Sequence, residues 1–517
     1  MTPGPIAHAY QSQKGDRWTC DNILVSHGHS VFPKVIIQCF AKPALVTMTK
    51  LDEAPSENEA GVEAIDYDNP HNWSQSRKIL SVVIFSFLAS VSPLASTITA
   101  PALPDIGKDL AISSGPVLQF TLSIYALGYA FGPLVLAPMS EVYGRVWVAQ
   151  LSGIWFLVFN LACAFVHSGG ALLAMRFLAG LGSSTTLSVG SGVLADCYMP
   201  NKMGSAVAIY SLMPVVSPIA GPIIGGFVSQ NTTWRWIFVA VSIWDALIQI
   251  VAFFFLRETY APVIRARKLH GTWFAKPPIE GSQFHENLRR AGRSMRLLAT
   301  KPLIQVLALH LGFLNGISYI MSSTFPLVWS EVYHWSTEMG SLNYIALGIG
   351  AIIGAQVCTR VNDRVYAVLS ARNNGVGSPD YRLPTMLAGT LIAPCGLLWY
   401  GWSAEEKLHW ILPDIGGAIY NAGFMTAYIN VRIYVIEFYG ASTAASAVAA
   451  VSFLQYLFGG LFPLFGTDIL HSLGFGRTNS VLAGVSLGLG LLAIGTLWKF
   501  GSRLREKSTE NDKQPLT

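Results

Sequence analysis

Charge is scarce in this chain: Lys, Arg, Asp and Glu supply 12% of 517 residues, about half of the ~25% usual in soluble globular proteins. So few charges cannot solvate the surface of a water-soluble domain this large. Cysteine is scarce too, with 6 in all. Cys163, Cys197, Cys358 and Cys395 fall in or beside apolar stretches and Cys20 and Cys39 near the start. There is no Cys-x-x-Cys pair and no Cys/His cluster of metal spacing, so free thiols are expected and no metal site. A phosphate-cradling loop is missing as well. Gly107-Lys108-Asp109 lacks both the leading glycine and the hydroxyl residue, which excludes ATP-driven chemistry of that type. No nucleophile elbow, His cluster or paired carboxylates occupy the connecting segments, so no enzyme and no cofactor are expected.

What is present is apolar. Hydrophobic residues make up 52% of the chain and the mean hydropathy is +0.44, so lipid is its solvent. Twelve stretches are each long enough as helices to cross ~30 Å of hydrocarbon. They lie at 79–100, 116–138, 147–167, 171–194, 205–228, 236–256, 303–326, 341–358, 384–402, 410–434, 441–466 and 479–500. The even count puts both ends on one side. Bases crowd the connection between spans six and seven, from Arg257 to Lys301, against only Glu258, Glu280 and Glu286. Lys and Arg resist translocation, so this connection and both termini are expected to be cytoplasmic. The expected class is an all-α integral membrane protein of twelve transmembrane helices in two pseudo-symmetric six-helix bundles. The divisions are a cytoplasmic tail over 1–78, bundles over 79–256 and 303–500 joined by a linker over 257–302, and a C-terminal tail over 501–517.

Residues 1–78 carry no signal-peptide pattern. An acidic run follows Met48 (Asp52, Glu53, Glu57, Glu59, Glu63), and a start at Met48 and a genuine disordered extension fit equally well. The halves echo one another: Ser96-Thr97-Ile98-Thr99-Ala100-Pro101 closes span one as Ser322-Ser323-Thr324-Phe325-Pro326 closes span seven. Glu141 and Asp363 hold like places after spans two and eight. Duplicated halves of this kind build many secondary transporters.

Three polar features stand out. Glu141 and Arg145 in Ala137-Pro138-Met139-Ser140-Glu141-Val142-Tyr143-Gly144-Arg145, echoed by Asp363 and Arg364, form a candidate gating loop. A carboxylate at a helix end that pairs in one conformation only biases a gate, whereas a static surface pair would contribute ~0–1 kcal/mol. Arg176, in Met175-Arg176-Phe177-Leu178-Ala179-Gly180-Leu181-Gly182, puts a cation in the outer leaflet, where it needs a partner or a wet cavity or else snorkels to the headgroups. Span five carries Ser217-Pro218-Ile219-Ala220-Gly221-Pro222-Ile223-Ile224-Gly225-Gly226, followed by Trp234-Arg235-Trp236. Pro218, Gly221, Pro222, Gly225 and Gly226 form a candidate hinge that bends one helix and lets another approach closely.

The loop after span two resembles the signature of the major facilitator superfamily, with Ala137 replacing a glycine, Glu141 an aspartate and Val146 a second base. The Arg176 string resembles that superfamily's fourth-span motif, whose arginine is associated with proton coupling, and the span-five string resembles that of antiporters. Asp66-Tyr67-Asp68-Asn69-Pro70, Arg257-Glu258-Thr259-Tyr260-Ala261-Pro262 and Pro379-Asp380-Tyr381-Arg382-Leu383-Pro384 extend the likeness to the fungal twelve-span drug:proton antiporters. The resemblance implies alternating access around a central cavity and proton-driven export of small hydrophobic or cationic molecules such as drugs, toxins or secondary metabolites. A proton-coupled importer or facilitator of the same fold is the alternative. The implied partners are a small-molecule substrate, protons and the lipid of the cell membrane, without nucleic acid, and the implied state is monomeric.

Ionisable residues inside spans are candidates by default: Asp245, which with Arg176 forms the proton-coupling pair proposed from sequence, His310, Asp414, Arg432 and Glu437. The last three read more readily as structural pairs. Tyr125, Tyr210, Asn315, Tyr319, Tyr420, Asn421 and Gln455 are the cavity candidates, each open to reading as an interhelical hydrogen bond instead. Relatives often place arginine where this chain has Gln455. Asn231-Thr232-Thr233 is a glycosylation acceptor sequence close to the bilayer.

Overall fold

The computed structural model describes residues 70–198, 203–270, 292–374 and 377–512. Most of the expected tail, with the Met48 start, Cys20 and Cys39, lies outside the described residues, as do linker residues 271–291 and the side chain of Glu141. Helices follow one another as α1 (Gln75–Thr97), α2 (Leu103–Asp109), α3 (Gly115–Tyr143), α4 (Arg145–Cys163), α5 (Gly169–Ser183), α6 (Thr185–Cys197), α7 (Met203–Asn231), α8 (Arg235–Phe255) and α9 (Ala261–His270). Then come α10 (292–300), α11 (Pro302–Leu327), α12 (Thr337–Leu342), α13 (Tyr344–Arg372), α14 (Leu383–Glu405), α15 (Ile411–Leu461) and α16 (Pro463–Asp512). Hydrocarbon offers backbone groups no partner, so each crossing must satisfy them within its own helix.

Among the described residues, 9 helices are long and apolar enough to cross a membrane. The remaining three spans depart from a plain apolar run for identifiable reasons. Span four is split into α5 and α6 by Ser183, Ser184, Thr185 and Thr186. Their hydroxyls each bond back to the carbonyl three residues earlier, at 2.8–3.3 Å, a pattern that bends helices. Spans ten and eleven form the continuous α15, yet Arg432 and Ser452 touch at 3.1 Å. Twenty residues of straight helix would separate them by ~30 Å, so α15 folds back between them. The stretch between spans eleven and twelve is helical, and Gly474 (φ 84°) breaks α16 there. The Glu405 carboxylate on span nine caps the new start, accepting from the amides of Phe475 (2.6 Å) and Gly476 (3.2 Å). Span eight overruns its expected end at 358 and continues to Arg372, its added turns carrying Arg360, Asp363, Arg364 and Arg372.

The apolar core is double. One cluster draws on residues from Trp73 to Leu256 and the other on Leu297 to Leu497. Within the first, span one packs on five, two on four and three on six; within the second, seven packs on eleven, eight on ten and nine on twelve. This repeated scheme is the twelve-helix, two-bundle architecture expected from the sequence. Exposed Phe253, Phe254, Phe255, Leu247 and Ile250 on α8, with Trp399 and Trp498, form part of the lipid-facing surface.

Candidate functional site between the bundles

Cross-bundle contacts identify the axis of the molecule. Ser96 and Tyr319 hydroxyls meet at 3.0 Å, and Ser123 donates to the Gly460 carbonyl at 2.7 Å. Tyr129 and Tyr456 rings meet edge to face with centroids 4.7 Å apart, and Phe131 and Phe453 do so at 5.3 Å. Toward the C-terminal end of α7, Gly348 lies against Ile219 and Gly226 against Ser341, and Asn231 donates to Glu338. These contacts run from the middle of the helices to that end. A cavity of about 80 Å³ remains there, bordered by Pro101, Gln119, Ser323, Trp335 and Tyr344, well short of the ~300–1,000 Å³ of a ligand pocket. The bundles are closed against each other at this end. The charge clusters at the opposite end each stay within one bundle, as described below.

Of the cavity residues expected from sequence, Tyr210 and Tyr319 reach the axis, with Tyr210 also donating to the Thr186 carbonyl at 3.1 Å. The others bind within a bundle. Tyr125 donates to Ser183 at 2.5 Å, and Tyr420 to the Leu314 carbonyl at 2.7 Å. Asn421 returns to the Gly417 carbonyl at 3.1 Å. Asn315 and Gln455 bond each other reciprocally across spans seven and eleven, at 2.9 and 3.4 Å. Their polar groups are used to pair helices, for which lipid offers no substitute. Sequence reasoning missed Tyr129, Tyr428 and Tyr456. The electrostatic neighbours of Tyr456 are Tyr428, Arg432, Tyr319 and Tyr210. A signal did exist: Tyr428 and Arg432 stand four residues apart, as do Ser452 and Tyr456, and each pair shares a helix face.

Arg176 does not snorkel. It is 2% exposed and donates to the carbonyls of Leu122 (3.2 Å) and Ala95 (3.4 Å), with its guanidinium 5.4 Å from the Tyr125 ring and 5.8 Å from Phe238. No ion pair among the described residues includes it. Asp245 lies two turns along α8 from Phe238, on the same face and ~10 Å away. One of its oxygens meets Gln249 at 3.5 Å and the other has no hydrogen-bond partner. His310 is buried between Thr390 and Gly490, and Asp414 is buried at the start of α15 beside Tyr400 and Tyr333. Neither faces the axis.

At the other end of the bundles, Arg145 bonds Ser140 at 2.9 Å and pairs with Asp196 at 3.5 Å. The Glu-Thr-Tyr string wraps this pair. Glu258 accepts from the backbone amides of Arg145 (2.8 Å), Val146 (3.3 Å), Thr259 (3.1 Å) and Tyr260 (3.0 Å). Thr259 donates to Asp196 at 3.1 Å, and the Tyr260 ring lies 5.0 Å from the Arg145 guanidinium. The second bundle repeats the arrangement with a partner other than the expected one. Asp363 pairs with Arg382 at 3.7 Å, and Arg382 also binds Glu437 at 2.8 Å. Arg364, one residue on from Asp363 and therefore rotated by ~100°, is exposed. Arg145–Asp196 and Arg382–Glu437 occupy corresponding places, spans three and four against nine and ten.

The span-five string touches both bundles. A Cβ on Gly221 would lie 2.6 Å from Thr97 Oγ1, and one on Gly225 3.0 Å from the Ile98 carbonyl carbon, at the last residue of α1 and its C-cap. On Gly226 it would meet Thr337 O at 3.1 Å, on α12 of the other bundle. Pro214, Pro218 and Pro222 all lie inside α7, so its ladder lacks three donors.

Two six-helix bundles joined along a tyrosine-lined axis are the architecture of a membrane carrier. Sequence comparison agrees: the Major Facilitator Superfamily profile matches residues 85–463, and the chain belongs to that family. It is 38% identical to the efflux pump vrtL of Penicillium aethiopicum over 86% of this chain and 89% of that one. It is 36% identical to the MFS-type transporter oryF of Aspergillus oryzae over 88% and 95%. Among solved structures, the partially occluded inward-open xylose transporter XylE of E. coli matches with a TM-score of 0.60 at 13% identity, over 82% of this chain and 98% of that one. A bacterial homologue of the lysosomal transporter Spinster matches at 0.53 and 17%, over 86% and 100%. The protein is thus a multi-pass membrane transporter of the superfamily.

Proposed function

We infer that the protein exports bulky, weakly polar small molecules from the cytoplasm in exchange for protons, by alternating access of the space around Tyr129, Tyr210, Tyr319, Tyr428 and Tyr456. Similarity to an efflux pump supports efflux, and the span-five string supports antiport. Arg176 carries the reading. A guanidinium buried in the membrane against two carbonyls, without an ionic partner among the described residues, is costly to keep. A cation that changes partners during the cycle accounts for it, and Asp245 is the acid assigned to work with it. On this reading both termini lie in the cytoplasm and the protein works in the cell membrane.

Reconstitution in liposomes tests the proposal. An imposed pH difference should drive efflux of a lipophilic fluorescent probe in wild type, not in Arg176→Ala, and weakly in Asp245→Asn. Movement insensitive to the pH difference indicates a facilitator, and movement with the proton flux rather than against it an importer. Gradient-driven export surviving in Arg176→Ala refutes the coupling role.

A further inference from the structure

Arg432 is the second cation inside the membrane, and its circumstances differ from those of Arg176. It lies five residues, ~7.5 Å, deeper than Glu437 along α15. Oε1 of that carboxylate is taken by Arg382 while its Oε2 is buried without a hydrogen-bond partner, and Asp363 also pairs with Arg382. No ion pair among the described residues includes Arg432. It is half-buried. One terminal nitrogen donates to Ser452 at 3.1 Å, its carbon stands 4.4 Å from the Tyr428 ring, and its buried Nε has no acceptor. Tyr456 is a neighbour, and through it Tyr129 of the other bundle. A guanidinium carries five donors and no acceptor, whereas the surrounding phenols are neutral. Among the described residues the positive charge is therefore uncompensated, beside the tyrosines that line the axis between the bundles.

We propose that Arg432 is the anion-recognising group of the transport cavity, and that the cargo is a flat aromatic molecule bearing an acidic group, a carboxylate or an acidic phenol. Its rings lie on Tyr428 and Tyr456 and its oxygens meet the guanidinium, which is built for bidentate pairing with a carboxylate. This rests on the carrier reading above and narrows it: the cationic cargo expected from family resemblance has no carboxylate waiting for it at this point.

The test uses a matched pair, 1-pyrenebutyrate and its uncharged methyl ester, on purified full-length protein by fluorescence anisotropy and in proteoliposomes with an imposed pH difference. Wild type should bind the acid roughly ten- to a hundredfold more tightly than the ester, the range expected of a charge-assisted hydrogen-bonded pair. Arg432→Gln, with an unchanged melting profile, should bring the two within twofold, and Arg432→Lys should keep part of the preference. No preference in wild type, no acid binding up to millimolar concentration, or a preference that survives Arg432→Gln overturns the proposal. If the preference behaves as stated and the pH difference moves neither probe, the export reading fails and the anion site stands. If both probes are driven equally by wild type and Arg432→Gln, the export reading stands and the anion site fails.

Discussion

Replacing Glu258 should loosen the start of span three. Its carboxylate is the acceptor for four backbone amides, three on one oxygen and Val146 on the other. Two of these belong to the first turn of α4, where no intrahelical partner exists, and the negative charge also complements the helix dipole there. Hydrogen bonds to a charged group contribute about 1.5–3 kcal/mol each, but four that share one carboxylate do not add. Water can rescue part of the loss, so Glu258→Ala should cost about 2–3 kcal/mol. Glu258→Gln keeps a neutral acceptor and should cost roughly half as much. For a unit the size of one bundle this is a fall in melting temperature of roughly 5 °C or more for the alanine variant. A thiol-reactive fluorogenic dye reads the transition, because Cys163, Cys197 and Cys358 are buried in the fold. Gly144→Ala should reproduce the defect, since that residue sits at φ 101° and its Cβ would lie 2.8 Å from the Glu258 carboxyl carbon. Wild-type melting of Glu258→Ala would mean the cap contributes nothing, and equal losses for Ala and Gln would remove the charge from the explanation.

Arg382→Ala and Glu437→Ala in a double-mutant cycle should show coupling of about 1–2 kcal/mol in the same melt, as a contacting, largely shielded pair does; Arg364→Ala in place of Arg382→Ala should show none. Gly225→Val should block the approach of spans one and five and abolish transport or surface expression, while Val on exposed Gly484, where a Cβ meets nothing within 4 Å, should leave both intact. Epitope tags at the two ends should both become accessible to antibody only after the membrane is permeabilised; staining of either on intact cells contradicts the cytoplasmic assignment.

Apolar length made the bundles legible, because the bilayer imposes it through bulk solvation. Local strings were legible as well, but their partners were not. Nothing near Glu258 in the chain announces that it caps a helix beginning 113 residues earlier, and Arg364 is the natural base for Asp363 in the sequence, yet the helix turn carries it off the face on which Asp363 meets Arg382. The cavity suffered from the same blindness. Tyr420 and Gln455 are polar residues in the right helices, yet a helix has several faces, and the face each occupies depends on how α15 folds back on itself. Arg176 could be recognised as buried because it sits where a cation has so few alternatives.

The division between charged and neutral contacts bears on how such a carrier moves. Ion clusters hold the helices within each bundle, where no rearrangement is needed during rocking, and taking apart a buried charge pair is expensive. The contacts that must break for the closed side to open include no ion pair among the described residues: a hydroxyl pair at Ser96 and Tyr319, one hydroxyl on the Gly460 carbonyl, two edge-to-face ring pairs, the glycine contacts of α7 and one solvent-exposed amide–carboxylate bond from Asn231 to Glu338. Hydrogen bonds between membrane helices contribute about 0.6 kcal/mol on average and aromatic pairs about 0.5–1.5. Their sum is a few kcal/mol, the size of gap across which a bound ligand or a proton can shift a two-state population. A charged lock at Tyr319, introduced as Tyr319→Asp with Ser96→Arg, should therefore hold that side closed and stop transport while raising the melting temperature. Continued transport by that double variant would show that these contacts are not what opens.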